Sequence, residues 1–429
     1  MSINMKLKSQ PEDFVVDELT DFQVTGGSFA FYRLEKSGLG TPEVAQAICS
    51  TWNLPRDTVQ HGGLKDRHAQ TTQHITIYRG PQRNLEDRSF VLTYLGQANR
   101  HFVAKDIVAN RFEITLRGLS PETVQLATER LMNLASGGII NYFDDQRFGS
   151  LGISNQFIAQ PWCMGDYERA LYLAIAEPNV HDRPREKEQK QILRDHWNQW
   201  IVCKERLDRS HRRSIVTFLC DHPTNFKRAI ALLRPDLRSI YLAAFQSYLW
   251  NRWVSNILAA QIPSDQRTTI DSLCGELAVP NASFNQEESN IQLSNWSLPL
   301  PSARQKEYPS DTVEYLLPIL QDLQMEPHQI RLKFPRDTFF SRGERVVWLQ
   351  IKDIQHSFQE DEQSSSATSP RSRLDLHFSL PRGAYATMIV KYLTNQDSTE
   401  IDPQAMEDSE SEYSEEVDSL PPNESTQPD

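Results

Sequence analysis

Strand-like sequence occurs in two separate parts of this chain, with a helix-rich stretch between them. Before residue 155, apolar residues alternate with polar ones, as from Phe112 to Leu116, and this spacing is typical of a half-buried strand. The same alternation returns after residue 330, from Leu374 to Leu380. Since strands that are distant in the chain can pair in one sheet, the simplest architecture is a sheet domain that is interrupted by a helical insertion and then completed.

The chain has 429 residues, which is too long for one ordinary hydrophobic core. We predict an α+β fold with a mixed or antiparallel sheet. Residues 1–156 and 329–395 are predicted to form the two parts of the sheet domain, and residues 157–328 the mostly helical insertion. Residues 396–429 are predicted to be a disordered acidic tail.

Local signals predict where the main helices begin. Thr41 and Ser120 are each followed by Pro and Glu, a pattern that predicts an N-cap residue and a proline in the first turn of a helix. Gly137 is predicted to end the second of these helices. In the insertion, helices are predicted over residues 167–176, 224–233 and 240–260.

The net charge of −12 is concentrated at the C-terminus. Residues 397–429 contain 12 acidic residues and no Lys or Arg, and the other 45 acidic residues equal the 45 Lys and Arg of the chain. The rest of the chain is therefore formally neutral, so the net charge does not argue against a nucleic-acid partner. A polar acidic segment buries too little apolar surface to fold; a second interpretation of the tail is a mimic of phosphate.

The spacing of the cysteines and the sequence of the N-terminus indicate the cellular compartment. The five cysteines are scattered, with no C-x-x-C pair and no Cys/His cluster, which argues against structural zinc and against a disulfide framework. The first 20 residues carry six charges, and no run approaches the roughly 20 apolar residues of a membrane span. We therefore expect a soluble protein in a reducing cytoplasm, without a membrane partner.

Asp66 lies between two basic residues, Lys65 and Arg67, just after a Gly pair. An Asp in a polar turn is ordinarily only a solvated surface residue. Here, however, the alternation from Gln73 to Tyr78 predicts a strand directly afterwards. The carboxylate would then lie on a loop that is fixed to a rigid sheet, a suitable place for a functional group.

Basic and aromatic residues are mixed in one part of the insertion. Residues 183–213 contain ten Lys or Arg against five Asp or Glu, and Trp197 and Trp200 lie among them. This composition suits contact with a phosphate backbone and its bases. A solvated, charged helix face is an equally good interpretation.

Four motifs together resemble the TruD family of pseudouridine synthases. The family's form G-x-K-D-x-x-A-x-T-x-Q is matched from Gly63 to Gln73, and its N-Y-F-G-x-Q-R-F-G is matched by 141–149, with Asp144 where glycine is usual. A lysine followed by P-E-D-F is found at Lys8 and residues 11–14, and L-P-x-G-x-F/Y-A-T resembles 380–387. The motifs occur in the family's order along nearly the whole chain.

The resemblance implies a mixed-sheet catalytic domain split by a family-specific TRUD insertion domain. It also implies an isomerase that converts uridine 13 of tRNA into pseudouridine, so tRNA is the expected partner. The reaction breaks the bond from a base nitrogen to the ribose and forms one from a base carbon to the same ribose, and nothing is oxidised or imported. We therefore expect no cofactor, no nucleotide and no metal site, and we expect a monomer.

Such a reaction needs one nucleophilic or basic carboxylate, and the resemblance assigns that role to Asp66. The carboxylate could attack the ribose, attack the base or remove a proton. Since burial disfavours an ionised carboxylate, a nearby cation is expected. The resemblance makes Lys8 the candidate; a plain surface lysine is the alternative interpretation. Lys65 and Arg67 are alternatives that could instead bind phosphates.

Chemistry on a base within folded RNA also requires a pocket for the extruded base. The resemblance implies that Phe14, Asn141 and Tyr385 contact the substrate and that Phe143 lies beside them. Aromatic faces can stack on a base, and an amide can pair with the uracil edge. Arg147 could bind a phosphate or brace its own loop.

Asp144 replaces a usual glycine; Asp tolerates a left-handed backbone better than most residues, so the turn could be kept. From another functional class, a non-catalytic tRNA-binding or RNA-folding protein with the same pocket is the alternative to an enzyme.

Overall fold

The structure is a computed structural model. It describes residue 7 and residues 9–55, 58–284, 293, 296–305, 308–365 and 369–395; within these ranges, the side chains of residues 135, 136, 352 and 353 are not described. Lys8 and the predicted acidic tail, residues 396–429, lie outside the described residues.

Helices are found mainly in the middle of the chain. They are Thr41–Trp52 (α1), Pro121–Ser136 (α2), Ala159–Met164 (α3), Tyr167–Ile175 (α4), Pro184–Asp195 (α5), Trp200–Arg206 (α6), His211–Asp221 (α7), Phe226–Ala231 (α8), Pro235–Gln261 (α9), Leu317–Asp322 (α10) and Ala386–Thr394 (α11).

Strands are concentrated towards the two ends of the chain. They are Phe14–Thr20 (β1), Phe29–Ser37 (β2), Val59–His61 (β3), Gln70–Tyr78 (β4), Leu85–Glu86 (β5), Phe90–Ala98 (β6), Ile107–Leu119 (β7), Ile139–Ile140 (β8), Arg267–Ile270 (β9), Leu277–Pro280 (β10), Ser297–Pro299 (β11), Glu344–Val346 (β12), Trp348–Leu349 (β13), Lys352–Glu360 (β14) and Ser372–Pro381 (β15).

Within the described residues, nine strands form one sheet. The order is β14-β15-β7-β1-β4-β2-β6-β5, and β3 pairs with β4. β1 and β4 are parallel, whereas the other neighbours are antiparallel. Since β15 pairs with β7, segments from both sides of the predicted insertion lie in one sheet. The predicted α+β fold with a mixed sheet is confirmed.

The described residues form two compact units. The first contains those up to Asp144, those of Gln261–Trp296 and those from Val346 onward, and it includes the nine-stranded sheet. The second contains Asp145–Ala260 and the described residues of Ser297–Arg345. Part of the predicted insertion range, 261–296, thus packs with the first unit, and the predicted domain boundaries stay predictions.

Helix α1 covers one face of the sheet. Val44 and Ile48 of α1 are fully buried against apolar side chains of β2, β4 and β6, among them Tyr32, Leu34 and Ile75. The apolar faces of the strands and of the helix therefore pack together in one core, as their periodicity predicts.

The second unit is organised around α9, the longest helix of the described residues. Its Trp250 and Trp253 are fully buried, and their indole N–H groups donate to the carbonyls of Leu298 and Thr312. A buried indole needs such an acceptor. In the described part of the chain, no helix is long and apolar enough to cross a membrane.

Several predicted element ends agree with the structure and others do not; the helix predicted over 240–260 begins earlier, at Pro235. The hydroxyl of Ser120 caps α2, and Gly137 follows the last residue of that helix. The prediction that Thr41 is an N-cap is wrong: Gly40 holds this position, because the Thr41 hydroxyl is used elsewhere, as shown below. The helix predicted over 224–233 is shorter, Phe226–Ala231.

A buried ion pair ties the N-terminal segment to the sheet. Asp13 ends a 3-10 turn directly before β1, and its carboxylate accepts hydrogen bonds of 2.8–3.0 Å from the guanidinium of Arg117 on β7. Their side chains are 2% and 9% exposed. Because Phe14 is the next residue, this pair fixes the start of β1.

Replacing Arg117 with Met should lower the free energy of unfolding by about 3 kcal/mol, because the Asp13 charge would stay buried without its partner. Arg111→Met is the matched control on the same strand: its partner, Asp17, is 3.7 Å away, and the Arg111 side chain is 55% exposed. That pair should contribute less than about 1 kcal/mol. Urea unfolding, followed by circular dichroism, measures the free energy of unfolding of both variants. Equal losses of free energy would contradict the stabilising role of the Asp13–Arg117 pair.

Candidate functional site

Asp66 lies in the loop that joins β3 to β4. The two strands are antiparallel neighbours, with Val59 opposite Ile77 and His61 opposite Ile75. Both ends of the loop are thereby fixed in the sheet; the sequence predicts the strand after the loop but not the one before it. The Asp66 side chain itself is exposed, so it is accessible to a second molecule.

A buried lysine holds the backbone of this loop. The ammonium of Lys36, at the end of β2, donates to the carbonyls of Lys65 at 3.1 Å, Asp66 at 2.9 Å and Leu39 at 2.6 Å. Lys36 is 3% exposed. A charge-assisted hydrogen bond is stronger than a neutral one, so the peptide group of Asp66 is firmly placed.

The start of α1 holds the loop at two further points. The Thr41 hydroxyl accepts from the amide of Lys65 at 3.0 Å and donates to Oε1 of Gln73 at 2.8 Å. Glu43 accepts from the Gly40 amide and from the guanidinium of Arg67, each at 2.7 Å. The loop on both sides of Asp66 is therefore tied to one helix terminus.

Lys65 points away from solvent into a polar network. Its ammonium donates to Oδ1 of Asn110 at 2.5 Å and lies 3.2 Å from the carboxylate of Glu18. Glu18 also accepts from the backbone amide of His74 at 2.9 Å. Burial by itself would raise the pKa of Glu18, but the hydrogen bonds from His74 and the charge of Lys65 outweigh it and lower the pKa.

Strand register brings Phe14 to the same region. Val15 pairs with Gln70 in parallel, so Phe14 lies at the edge of the sheet where the Asp66 loop enters β4. Side chains of a strand point alternately to its two faces, so Phe14 and Glu18 lie on the same face of β1. Lys65, which contacts Glu18, therefore lies over the face of the sheet that carries Phe14.

A second cluster joins Asn141, Phe143 and Tyr385 in the first unit. The Asn141 backbone amide donates to the carbonyl of Val347 at 2.7 Å, and its side-chain amide donates to the carbonyl of Val346 at 2.9 Å. The rings of Phe143 and Tyr385 meet edge to face, with centroids 6.4 Å apart. Asn141 and Tyr385 also border a small cavity whose other lining side chains are mostly apolar.

Burial differs among the four predicted pocket residues. Phe14, Asn141 and Phe143 are 4%, 8% and 7% exposed, whereas Tyr385 is half-buried. Tyr385 is therefore the member whose ring is most accessible to a planar ligand.

The sheet connects the two clusters. Asn110, which binds Lys65, pairs with Leu380 of β15, and it also pairs with Glu18 of β1. Adjacent strands lie about 4.8 Å apart. Leu380 therefore lies two strands away from Glu18 and directly across the sheet from it. Tyr385 follows the end of β15 by four residues, so the turn that leads to Tyr385 begins at this point.

Asp144, the departure from the usual glycine, does not have a left-handed backbone. Its carboxylate is 1% exposed and accepts a 2.7 Å hydrogen bond from Thr387, and it lies 3.3 Å from the ammonium of Lys391. The buried carboxylate thus has both a hydrogen-bond donor and a positive charge beside it.

The remaining predicted cations differ in their surroundings. Lys8 lies outside the described residues. The Arg67 side chain is 29% exposed beside Glu43. Arg147 belongs to the second unit, is exposed, and its Nε lies 3.4 Å from the hydroxyl of Ser247. Among the described residues, no group of three or more His, Cys, Asp or Glu is arranged to hold a metal ion.

Sequence reasoning missed Lys36, Glu18 and Lys391. Each is a charged residue at a position where the pattern of the element expects an apolar one. In β2, for example, Lys36 continues the buried series Ala30, Tyr32 and Leu34. A charged residue at such a position is buried only when it is paired or hydrogen-bonded. This signal identifies the residue but not its partner.

Comparison with known proteins gives the same family over most of the chain. Residues 1–393 match the family model described as tRNA pseudouridine synthase D (TruD). The chain is 30% identical over 404 residues to the tRNA pseudouridine synthase D of Leptospira interrogans, covering 90% of this chain and 95% of that one. It is 28% identical over 405 residues to the probable tRNA pseudouridine synthase D 1 of Methanococcus maripaludis, covering 91% and 100%.

The fold is also found in a solved structure. The crystal structure of a putative tRNA pseudouridine synthase D from Methanosarcina mazei matches with a TM-score of 0.68 and 22% identity, covering 94% of this chain and 95% of that one. The resemblance that the four motifs predict is confirmed.

Replacing Thr41 with Val should loosen the Asp66 loop without opening a cavity, because Val has nearly the same shape but no hydroxyl. A hydrogen bond of this kind contributes about 1 kcal/mol, so the amide of Lys65 should exchange with solvent about fivefold faster. Hydrogen exchange across residues 62–69 measures this. Thr58→Val, which removes an exposed hydroxyl bonded to Pro55, is the control; unchanged exchange at Lys65 in Thr41→Val would refute the role.

Proposed function

The chain belongs to the tRNA pseudouridine synthase D (TruD) family, and on this premise we propose that it converts uridine 13 of tRNA into pseudouridine with Asp66 as the essential carboxylate. The proposed enzyme is a monomer that acts in the cytoplasm. It needs no cofactor, because the isomerisation uses only atoms of the substrate.

The observation that carries the proposal is an exposed carboxylate on a backbone that is held at several points. Lys36 binds the carbonyl of Asp66, and Thr41 binds the amide of the preceding residue. Catalytic groups act best when their supporting contacts fix them before the substrate arrives. An incidental surface Asp has no need of a buried ammonium beneath its peptide bond.

The target uridine must leave its stack to meet Asp66. We assign the extruded base to the cluster of Asn141, Phe143 and Tyr385, with Phe14 at the edge of the sheet nearest the Asp66 loop. The half-buried ring of Tyr385 supplies a stacking face, and Asn141 an amide next to an apolar cavity. The register of β1, β7 and β15 supports the proximity of these groups.

Backbone contacts to the RNA are proposed for Lys65, Arg67 and Arg147. Arg147 is exposed and Arg67 is partly exposed, so both guanidinium groups are accessible to phosphate. Lys65 would first have to leave Asn110 and Glu18. We propose Lys8 as the cation that keeps Asp66 ionised.

Asp66→Ala and Asp66→Asn should abolish pseudouridine formation while leaving the fold intact, because the side chain is exposed and the backbone contacts stay. To measure this, purified protein is incubated with tRNA and pseudouridine at position 13 is mapped chemically. Asp87→Asn, an exposed Asp in another loop, is the control and should keep full activity. Normal product from Asp66→Ala would eliminate the mechanism, and no product from the unaltered chain with any tRNA would favour a non-catalytic tRNA-binding or RNA-folding protein.

Tyr385→Ala should lower kcat/KM by about five- to 150-fold, since stacking on an aromatic ring contributes about 1 to 3 kcal/mol per base. Tyr385→Phe keeps the ring and should stay within about threefold of the unaltered chain. Steady-state kinetics on one tRNA separate the two. Equal losses in both variants would show that the hydroxyl, not the ring, is what matters.

A further inference from the structure

Asp144, which directly follows Phe143 in the sequence, forms a fully buried ion pair with Lys391. Each side chain is 1% exposed, and Oδ1 of Asp144 lies 3.3 Å from Nζ of Lys391. Thr387 donates a 2.7 Å hydrogen bond to the other carboxylate oxygen. Both partners of Asp144 belong to α11, the helix that begins directly after Tyr385.

Two adjacent residues therefore contact the same helix in two ways. Phe143 meets the ring of Tyr385, the N-cap residue of α11, and Asp144 meets Thr387 and Lys391. The last two are four positions apart, so they lie on one face of the helix. The chain segment and the start of the helix are thus joined by an apolar contact and by a charged one.

The ion pair is better suited to fixing an arrangement than to adding stability. Two buried charges lose so much hydration that an apolar pair of similar size is often as stable. Their geometry, however, tolerates little displacement: a shift of α11 by one residue would move Lys391 by about 1.5 Å along the axis and turn it by about 100°. Such a shift would separate the charges, so other positions of the helix are strongly disfavoured.

Backbone conformation does not explain Asp144. The residue does not occupy the left-handed region in which glycine is favoured. A glycine there could offer neither the carboxylate that Thr387 binds nor a partner for the Lys391 charge. The side chain at position 144 thus supplies the polar link between this segment and α11.

We propose that Asp144 and Lys391 are positioning residues that set the place of Tyr385 against Phe143 and Asn141, and hence the width of the uridine pocket. This inference rests on the proposed function of that pocket. Neither residue touches the substrate; both act through α11.

The informative variant is the double substitution Asp144→Asn with Lys391→Met. Each single change removes one half of the ion pair from a buried site and should destabilise the protein, whereas the double change removes both charges and keeps an acceptor for Thr387. We expect a melting temperature near that of the unaltered chain but a kcat/KM about ten- to a hundredfold lower, because a small misplacement of a positioning group is enough for such a loss.

Adding Tyr385→Ala separates positioning from general structure. If the pair acts through Tyr385, this substitution should lower kcat/KM much less in the double variant than in the unaltered chain. Full activity of the double variant, or an equal effect of Tyr385→Ala in both backgrounds, would overturn the proposal. Should the double variant not fold, Thr387→Val replaces it in the same comparison with the same expected non-additivity.

The matched control removes an ion pair in the second unit. Arg238→Met with Asp337→Asn deletes a two-pronged pair of 3.0 Å bonds, and its effect should add independently to that of Tyr385→Ala. Independence there and coupling at Asp144 and Lys391 together support the proposal; coupling of equal size in the control would refute it.

A measurement without RNA distinguishes this inference from the proposed function. With 3-fluorotyrosine at position 385, the fluorine resonance of the protein alone should shift or split in the Asp144→Asn, Lys391→Met double variant and stay unchanged in the control. An unchanged resonance in the double variant would refute positioning. Absence of pseudouridine from the unaltered chain would refute the proposed function, and the fluorine result would still decide on the pair.

Discussion

The parallel pairing of β1 with β4 is the constraint on which the proposed site depends. The two strands run in the same direction, so the segments that precede them arrive at the same edge of the sheet. One of these segments is the turn that ends at Asp13, and the other is the loop that carries Asp66. An antiparallel pairing would have placed them about a strand length apart. The remaining neighbours of the sheet are antiparallel, so this single pairing brings the two motifs together.

Buried charges then fix what the sheet has brought together. Lys36 and the pair of Lys65 with Glu18 hold the loop, and the pair of Asp144 with Lys391 holds the start of α11. Such groups are costly to bury and are tolerated only in arrangements that satisfy them. They lie near exposed Asp66 and half-buried Tyr385, so this part of the molecule is restricted to one geometry.

Features that depend on local sequence were predictable, and features that depend on distant partners were not. The α+β class, the strand after Asp66 and the N-cap at Ser120 follow from spacing within a few residues. The Thr41 prediction was wrong because its hydroxyl binds residues 24 and 32 positions away, and no local pattern shows that competition. The charges at Lys36 and Glu18 could be suspected from the apolar phase of their strands, but their partners follow only from the pairing of the strands.

Strand β15 has a consequence for synthesis of the protein. It completes the first unit by pairing with β7, and Asp375 bonds to Thr115, 260 residues earlier. At roughly 5–20 residues per second, the ribosome needs about 10–50 s to make that stretch. During this time one edge of β7 has no native partner strand, while the whole of the second unit emerges. A nascent chain of this protein therefore has to keep an unpaired edge of β7 from pairing with other chains until residues 372–381 appear.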